Sequence, residues 1–160
     1  MPTHSAASDG RPRYNVRPPE PQDRARIVAL GDDERLFTHM MIRFSRAEMD
    51  SWFTAWLDEL REPGRSFWPL VITAGTDAVG FAMITQPLDQ VAELQWYVSP
   101  EHWRKGCATA ATQRSLPLIF DELGCHRVYA TADPDNLASI KTLERAGFRL
   151  EGHHVDYVLT

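Results

Sequence analysis

Residues 96–111 read Trp-Tyr-Val-Ser-Pro-Glu-His-Trp-Arg-Lys-Gly-Cys-Ala-Thr-Ala-Ala, and the order of types suits the holding of an anion. An extended run over 91–98 stops at Ser99-Pro100, and a helix-forming run begins just after Gly106. The first-turn N–H groups of such a helix have no partners within it, and its dipole places roughly +0.5 charge there. Gly106 lets backbone approach a ligand closely, and Arg104 and Lys105 add full positive charge beside it. A phosphate or pyrophosphate fits that chemistry. A loop that merely carries basic residues and binds nothing fits the local pattern equally well. The stretch is neither a Walker loop, for no Gly-Lys-Ser/Thr follows a first glycine, nor a three-glycine dinucleotide fingerprint.

A second candidate lies upstream. In the run 91–98, Glu93, Gln95 and Tyr97 alternate with Ala92, Leu94, Trp96 and Val98, which puts a carboxylate in the strand that leads to the anion loop. Glu93 either serves chemistry or simply faces water. Downstream, Asn136 heads a helix with Ser139 in its first turn, where either polar side chain is suited to capping.

The elements that must position these residues follow from periodicity. Residues 14–17 alternate as a short strand, and 21–30 carry Ile27, Val28 and Leu30 on a helical face closed by Gly31. Residues 32–44 suggest a helical turn or a packed loop. Ser45-Arg46-Ala47-Glu48 is a capping box, and Met49, Trp52, Phe53, Trp56, Leu57 and Leu60 then form one face of a helix ended by Pro63-Gly64. Three strands, 67–74, 78–85 and 91–98, joined by short turns, predict an antiparallel meander. Residues 105–123 form the helix after the loop, bent at Pro117, and 126–132 a fifth strand made parallel to the fourth by its helical crossover. Residues 133–136 cap a last helix whose Leu137, Ile140 and Leu143 face inward, Gly147 stops it, and the chain is extended from Phe148.

Composition bounds the partners. At 160 residues with 43% hydrophobic content, the chain reads as a polar tail over 1–12, expected to be disordered, and one globular domain over 13–160. Lys+Arg 17 against Asp+Glu 22 gives a formal charge of -5, which argues against a general nucleic-acid or anionic-membrane binder and suits a cationic partner such as an amine. No apolar run spans a membrane and no signal peptide is recognised, so a cytoplasmic location is expected. Cys107 and Cys125 make neither a disulfide framework nor a metal-spaced pair. Cys107 reads as an apolar plug in the loop rather than a nucleophile. His153 and His154 are adjacent in an extended segment and point opposite ways, so no metal is expected. Trp52 and Trp56 belong to the core or to a pocket wall.

The order strand, two helices, three antiparallel strands, anion loop, helix, strand, helix, strand is an α+β fold with one parallel pair in the middle. At this point the chain resembles the GNAT superfamily of acyl-CoA N-acyltransferases, most closely its RimJ/RimL-like branch. Three matches carry the likeness: Ala92-Glu93-Leu94-Gln95-Trp96-Tyr97-Val98-Ser99-Pro100-Glu101 into Trp103-Arg104-Lys105-Gly106-Cys107-Ala108-Thr109; then Asn136-Leu137-Ala138-Ser139; then Ala146-Gly147-Phe148-Arg149-Leu150-Glu151-Gly152.

The resemblance implies a mainly antiparallel sheet whose central parallel pair splays around a cofactor-binding helix N-terminus. It implies that the amides of Arg104, Lys105, Gly106, Cys107, Ala108 and Thr109 hold the pyrophosphate of acetyl-CoA, and that the backbone of Trp96, Tyr97 and Val98 pairs with the pantetheine. Glu93 would then stand near the thioester as general base. Asn136 would bind the cofactor or a water near its thiol end, and Ser139 would protonate the leaving thiolate. Other branches use a tyrosine where this chain has Leu143, and Trp103 replaces a side-chain contact to the cofactor. The implied activity is transfer of an acetyl group from acetyl-CoA to a primary amine, on a protein N-terminus or a small molecule, without metal. His39, Met40 and Met41 lie where the family lines its acceptor site.

In the family, Glu151-Gly152 leads into a sixth strand, a loop and a seventh strand. Here the sequence stops after what looks like the sixth. Three expectations follow: a partner, such as a second copy in a homodimer, supplies the strand; Gly152-His153 is a turn and 155–159 a short seventh strand; or the fold is compromised. The rival to the enzyme is then a non-catalytic acyl-CoA-binding module, inactive through its shortened C-terminus. A phosphate-responsive interaction domain is a further class, which would bind phosphate esters without preferring CoA.

Overall fold

The computed structural model describes residues 13–40 and 43–152, with nothing to be said of the Pro87 side chain. The expected tail over 1–12, Met41 of the acceptor-site expectation, the His153-His154 pair and the expected short strand over 155–159 lie outside the described residues.

Five strands form one sheet in the order β1-β2-β3-β4-β5: β1 (Tyr14–Arg17), β2 (Phe67–Ala74), β3 (Asp77–Leu88), β4 (Val91–Val98) and β5 (Arg127–Tyr129). The first four are antiparallel neighbours, as the short turns require, and β5 runs parallel to β4. Two-residue turns at 75–76 and 89–90 close the hairpins, with φ of 62° at Gly75 and 59° at Gln90.

Helices cover both faces, which explains why the middle of β2 is apolar without alternation. On one face lie α1 (Arg24–Ala29) and α2 (Arg46–Glu59), where Ile27, Met49, Phe53 and Trp56 meet Val71 and Phe81. On the other lies α3 (Cys107–Pro117), whose Cys107 and Ala111 meet Ile72, Ile84, Leu94 and Val98. α2 begins as its capping box demands, with the Glu48 N–H donating to Ser45 Oγ at 3.2 Å and the Ser45 N–H to Glu48 Oε2 at 2.7 Å. Where a helical turn or packed loop is expected, 3-10 turns form at Leu30–Asp32 and Glu34–Phe37, and Leu36, Phe37 and Phe44 are buried.

Pro117 acts differently from a simple bend. It ends the α-helical hydrogen bonding of α3, and the chain continues as a π-helical turn over Leu118–Glu122, where the Leu123 N–H reaches Leu118 O at 2.9 Å. A proline cannot donate to the carbonyl four residues back, and the wider turn absorbs the missing bond.

Three expectations are corrected. β5 covers 127–129 rather than 126–132, because its pairing with β4 consists of Val91↔Arg127, Ala92↔Val128 and Glu93↔Tyr129 and then stops. Leu137, expected inward, is 62% exposed as the first residue of α4 (Leu137–Arg145), ahead of the turn that packs; α4 buries Thr142 instead. Residues 148–152 follow Gly147 without joining a strand pair among the described residues. What positions the site is the parting of β4 from β5: beyond Glu93 one edge of β4 runs on without its neighbour.

Candidate active site

The loop between β4 and α3 holds a run of backbone N–H groups with nothing to donate to. The first main-chain bond into the helix is the Ala110 N–H to Gly106 O at 3.0 Å, and no side chain caps the end. Among the described residues the amides of Arg104, Lys105, Gly106, Cys107, Ala108 and Thr109 find no acceptor. The backbone also takes an unusual path: φ is 59° at Arg104 and 80° at Gly106, with Lys105 and Cys107 on the negative side. Alternation of sign along successive residues turns their N–H groups toward one point and makes a concave anion nest. A left-handed arginine costs on the order of 1–3 kcal/mol, so the conformation is one the surroundings impose. A Cβ added at Gly106 would meet nothing within 4 Å, so the approach to this nest is open.

Neighbouring contacts pin the loop. Trp103 Nε1 donates to Val98 O at 2.8 Å, and Tyr14 Oη lies 3.0 Å from His102 Nδ1. Neither contact is legible from local pattern, since both depend on where the loop folds back. Burial, and then the charge of Lys105, holds the His102 imidazole below its ordinary pKa, against the opposing pull of Glu101. Glu101 could have supplied the nest with an internal anion, but its carboxylate is engaged by Ser99 Oγ and by Arg35, with Nη2 3.5 Å from Oε1. Cys107 is 2% exposed beneath the loop, and burial pushes its thiol up to about 12, so it fills the core and is not available as a thiolate.

Along β4 the backbone divides cleanly. The Ser99 N–H donates to Val79 O at 2.8 Å in register with Tyr97↔Phe81 and Gln95↔Met83, so the odd-numbered residues bond to β3. By the same alternation Leu94, Trp96 and Val98 turn their main-chain groups to the side that β5 has left, whereas those of Tyr97 are committed to β3. At Gly80, opposite Val98, a Cβ would stand 2.3 Å from Tyr97 O, so only glycine lets β3 approach here.

Glu93 sits half-buried on the α2 face of the sheet. Gln95 Nε2 donates to its Oε1 at 3.1 Å, and Tyr129 Oη stands 3.5 Å from its Oε2. Its charge, after desolvation, raises the Tyr97 phenol above the ordinary value. On the same face, next to Gln95 and Tyr97, a cavity of about 360 Å³ opens between sheet and helix. Its walls include Met40, Phe44, Trp52, Trp56, Phe81 and Met83. Trp56 is thus both core, at 4% exposure, and wall, whereas Trp52 is 39% exposed. Periodicity identified the two tryptophans but not the part played by Phe44, Phe81 and Met83, whose patterns are those of ordinary core.

The remaining candidates stand at the start of α4, the element that follows β5. Asn136 Oδ1 accepts the Ser139 N–H at 3.1 Å and so caps the helix, leaving its amide nitrogen as a donor. Ser139 contributes its main chain to that cap, and its half-buried hydroxyl has no partner among the described residues. Tyr129 beside Glu93 was missed by sequence reasoning, for only the parallel register brings it there. No helix among the described residues is long and apolar enough to cross a membrane. No group of three or more metal-ligating side chains occurs among the described residues.

Comparison with known proteins agrees with this architecture. The sequence pattern of the family described as Acetyltransferase (GNAT) domain matches residues 13–149. The chain is 29% identical over 149 residues to the probable N-acetyltransferase YjcK of Bacillus subtilis (strain 168), covering 86% of this chain and 81% of that one. It spans only 35% and 51% of the length of two uncharacterized Bacillus N-acetyltransferases that it also matches. Among solved structures, Mycobacterium smegmatis RimJ in complex with CoA-disulfide superposes with a TM-score of 0.73 at 26% identity, covering 87% of this chain and 71% of that one. The fold also matches spermidine N-acetyltransferase from Vibrio cholerae in complex with CoA and spermine, with a TM-score of 0.73 at 22% identity over 88% of this chain and 83% of that one.

Proposed function

Because the chain belongs to the GNAT acetyltransferase family, we propose that it transfers an acetyl group from acetyl-CoA directly to a primary amine within a ternary complex. The observation that carries this reading is the unbroken run of unpartnered amides from Arg104 to Thr109, flanked by two cationic side chains at the end of a parting strand pair. A diphosphate is the anion that such a run accommodates, because several donors converge and Arg104 and Lys105 neutralise its charge.

In this reading the nest holds the diphosphate, and the outward main-chain groups of Trp96 and the N–H of Val98, whose carbonyl accepts from Trp103 Nε1, pair with the pantetheine. Acetyl-CoA bound there supplies an activated thioester carbon. Asn136 offers its amide nitrogen near the thiol end, and Ser139 its hydroxyl proton to the departing sulfur. An outward N–H of β4 stabilises the oxygen as charge develops on it.

The amine arrives as an ammonium and must lose a proton before it reacts. At pH 7 that costs about 1 kcal/mol for an α-amine of pKa near 7.8 and about 4.6 kcal/mol for a lysine near 10.4. Glu93, steadied by Gln95 and Tyr129, takes this proton directly or through water. As the new C–N bond forms, the C–S bond breaks. The nitrogen gives up its second proton, the thiolate gains one, and one proton is released to solvent per turnover.

The test is thiol release from acetyl-CoA with a panel of amines. Glu93→Gln should lower kcat by about 100-fold or more while CoA affinity, measured by calorimetry, stays within a factor of two or so. An unaltered rate across pH removes Glu93 from the mechanism. Tight CoA binding with no turnover of any amine favours the acyl-CoA-binding module instead.

A further inference from the structure

We propose that the cavity beside Glu93 selects a monoamine whose amino group sits on a single aromatic or bulky apolar body, and that it disfavours polycationic acceptors. This rests on the acetyl-transfer reading above and specifies its acceptor. The argument starts from the walls. Phe44, Trp52, Trp56, Phe81, Met83 and Tyr97 wall a half-open cavity, Gln95 and the Tyr97 phenol are its polar groups, and none of the described lining residues is charged. The rings stand in mutual contact around it: Phe44 with Trp52 at 5.1 Å between centroids, Trp56 with Phe81 at 5.1 Å, and Phe81 stacked on Tyr97 at 4.6 Å. A volume of about 360 Å³ lies at the small end of ligand pockets, enough for one ring and a short chain.

The polar lining group that reaches the carboxylate is Gln95. Gln95 lines the cavity and also binds Glu93, one step along the same face of β4. A ligand with one ammonium therefore places it against Glu93 and Gln95 and lays its apolar body against the rings. A polyamine or aminoglycoside has further ammonium groups that meet the same apolar walls, where no carboxylate lies among the described lining residues and an ammonium drawn out of water is left unpaired at a cost. Cation–π contact with the rings offsets only part of that loss. The acids of α2 are not among the lining residues, and Asp50 is paired with Arg24 at 2.8 Å.

The test compares 2-phenylethylamine, ethylamine and spermidine as acceptors, with a parallel measurement of binding by saturation-transfer NMR. Wild-type enzyme should show kcat/KM for 2-phenylethylamine at least 10-fold above that for ethylamine and for spermidine. Trp52→Ala, at a partly exposed wall position, should collapse the ratio of 2-phenylethylamine to ethylamine toward one, and Met83→Ala should lower it independently. Spermidine preferred over 2-phenylethylamine, or a ratio indifferent to both variants, overturns the proposal. Binding of 2-phenylethylamine that weakens in Trp52→Ala, without turnover of any amine, supports the cavity's selectivity and counts against the transfer reading alone. Absence of both binding and turnover of 2-phenylethylamine overturns the proposal while ethylamine turnover leaves the transfer reading standing.

Discussion

Two regions of this molecule gather N–H donors and an arginine around the place of an anion, and they complete it in opposite ways. At the junction of β1 and the turn before α1, the anion is internal. Arg17 donates to the Asp23 carboxylate through Nη1 at 2.7 Å and Nη2 at 2.8 Å, the Glu20 N–H adds a third bond at 2.8 Å, and Asp23 is 3% exposed. At the start of α3 the donors are more numerous, but among the described residues no carboxylate meets them. Matched donors make a structural joint. Unmatched ones, held open by a left-handed Arg104 and Gly106, make a demand for an anion from outside.

The comparison can be broken at its closed end first. Asp23→Ala leaves Arg17 and the Glu20 amide without their anion, and loss of one partner of a buried pair costs about 3 kcal/mol. For a domain of this size the melting temperature should fall by about 6–12 °C, read by calorimetry. A drop below about 1 kcal/mol would mean that the joint is no more than a surface ion pair.

At the open end the inverse change is informative. Thr109→Asp supplies an internal carboxylate to the first turn of α3, where it should stabilise the helix by about 0.5 kcal/mol. The same change should weaken CoA about tenfold or more in a calorimetric titration, because the nest is then answered from within and repels a diphosphate. Stability gained with affinity unchanged would place CoA elsewhere.

Acid tests the closed region, and salt the open one. Burial pushes the Asp23 carboxyl up, but the Arg17 hydrogen bond, the Glu20 amide and the Arg17 charge outweigh it, leaving the pKa below its ordinary 3.8. A depressed native pKa contributes stability above the unfolded value and loses it as pH falls through the native one. Urea midpoints of the wild type should therefore decline below pH 3.8 more steeply than those of Asp23→Asn. The smallest effect is expected at Lys105, exposed at the nest's rim. Lys105→Ala should weaken CoA about threefold at low salt and flatten the salt dependence of binding, since exposed charges are screened.

What could be read in advance depended on range. The Ser45 capping box, the glycine before α3, the stop at Gly147 and the alternation that set Glu93 with Gln95 and Tyr97 are consequences of neighbours within a few residues. The inward placement of Leu137 failed for the same reason turned round: helical spacing marks a face, but the first residue of α4 stands beyond what the sheet covers. His126–Ala132 looked like one strand because its residue types suit extension, while the length that pairs is decided by β4.

Sequence by itself therefore determined the order of elements through α4, the donor-rich loop around Gly106 and the caps at Ser45, Asn136 and Gly147, because backbone geometry and capping act between residues close along the chain. Tertiary structure alone decided which tyrosine stands beside Glu93, that Trp103 folds back onto Val98 O, and that Trp52 and Trp56 share a cavity wall with Phe81. The physical reason is register. Pairing of β4 with β5 joins residues 36 apart, and a slip of one position would send every side chain to the opposite face with little change in local preference.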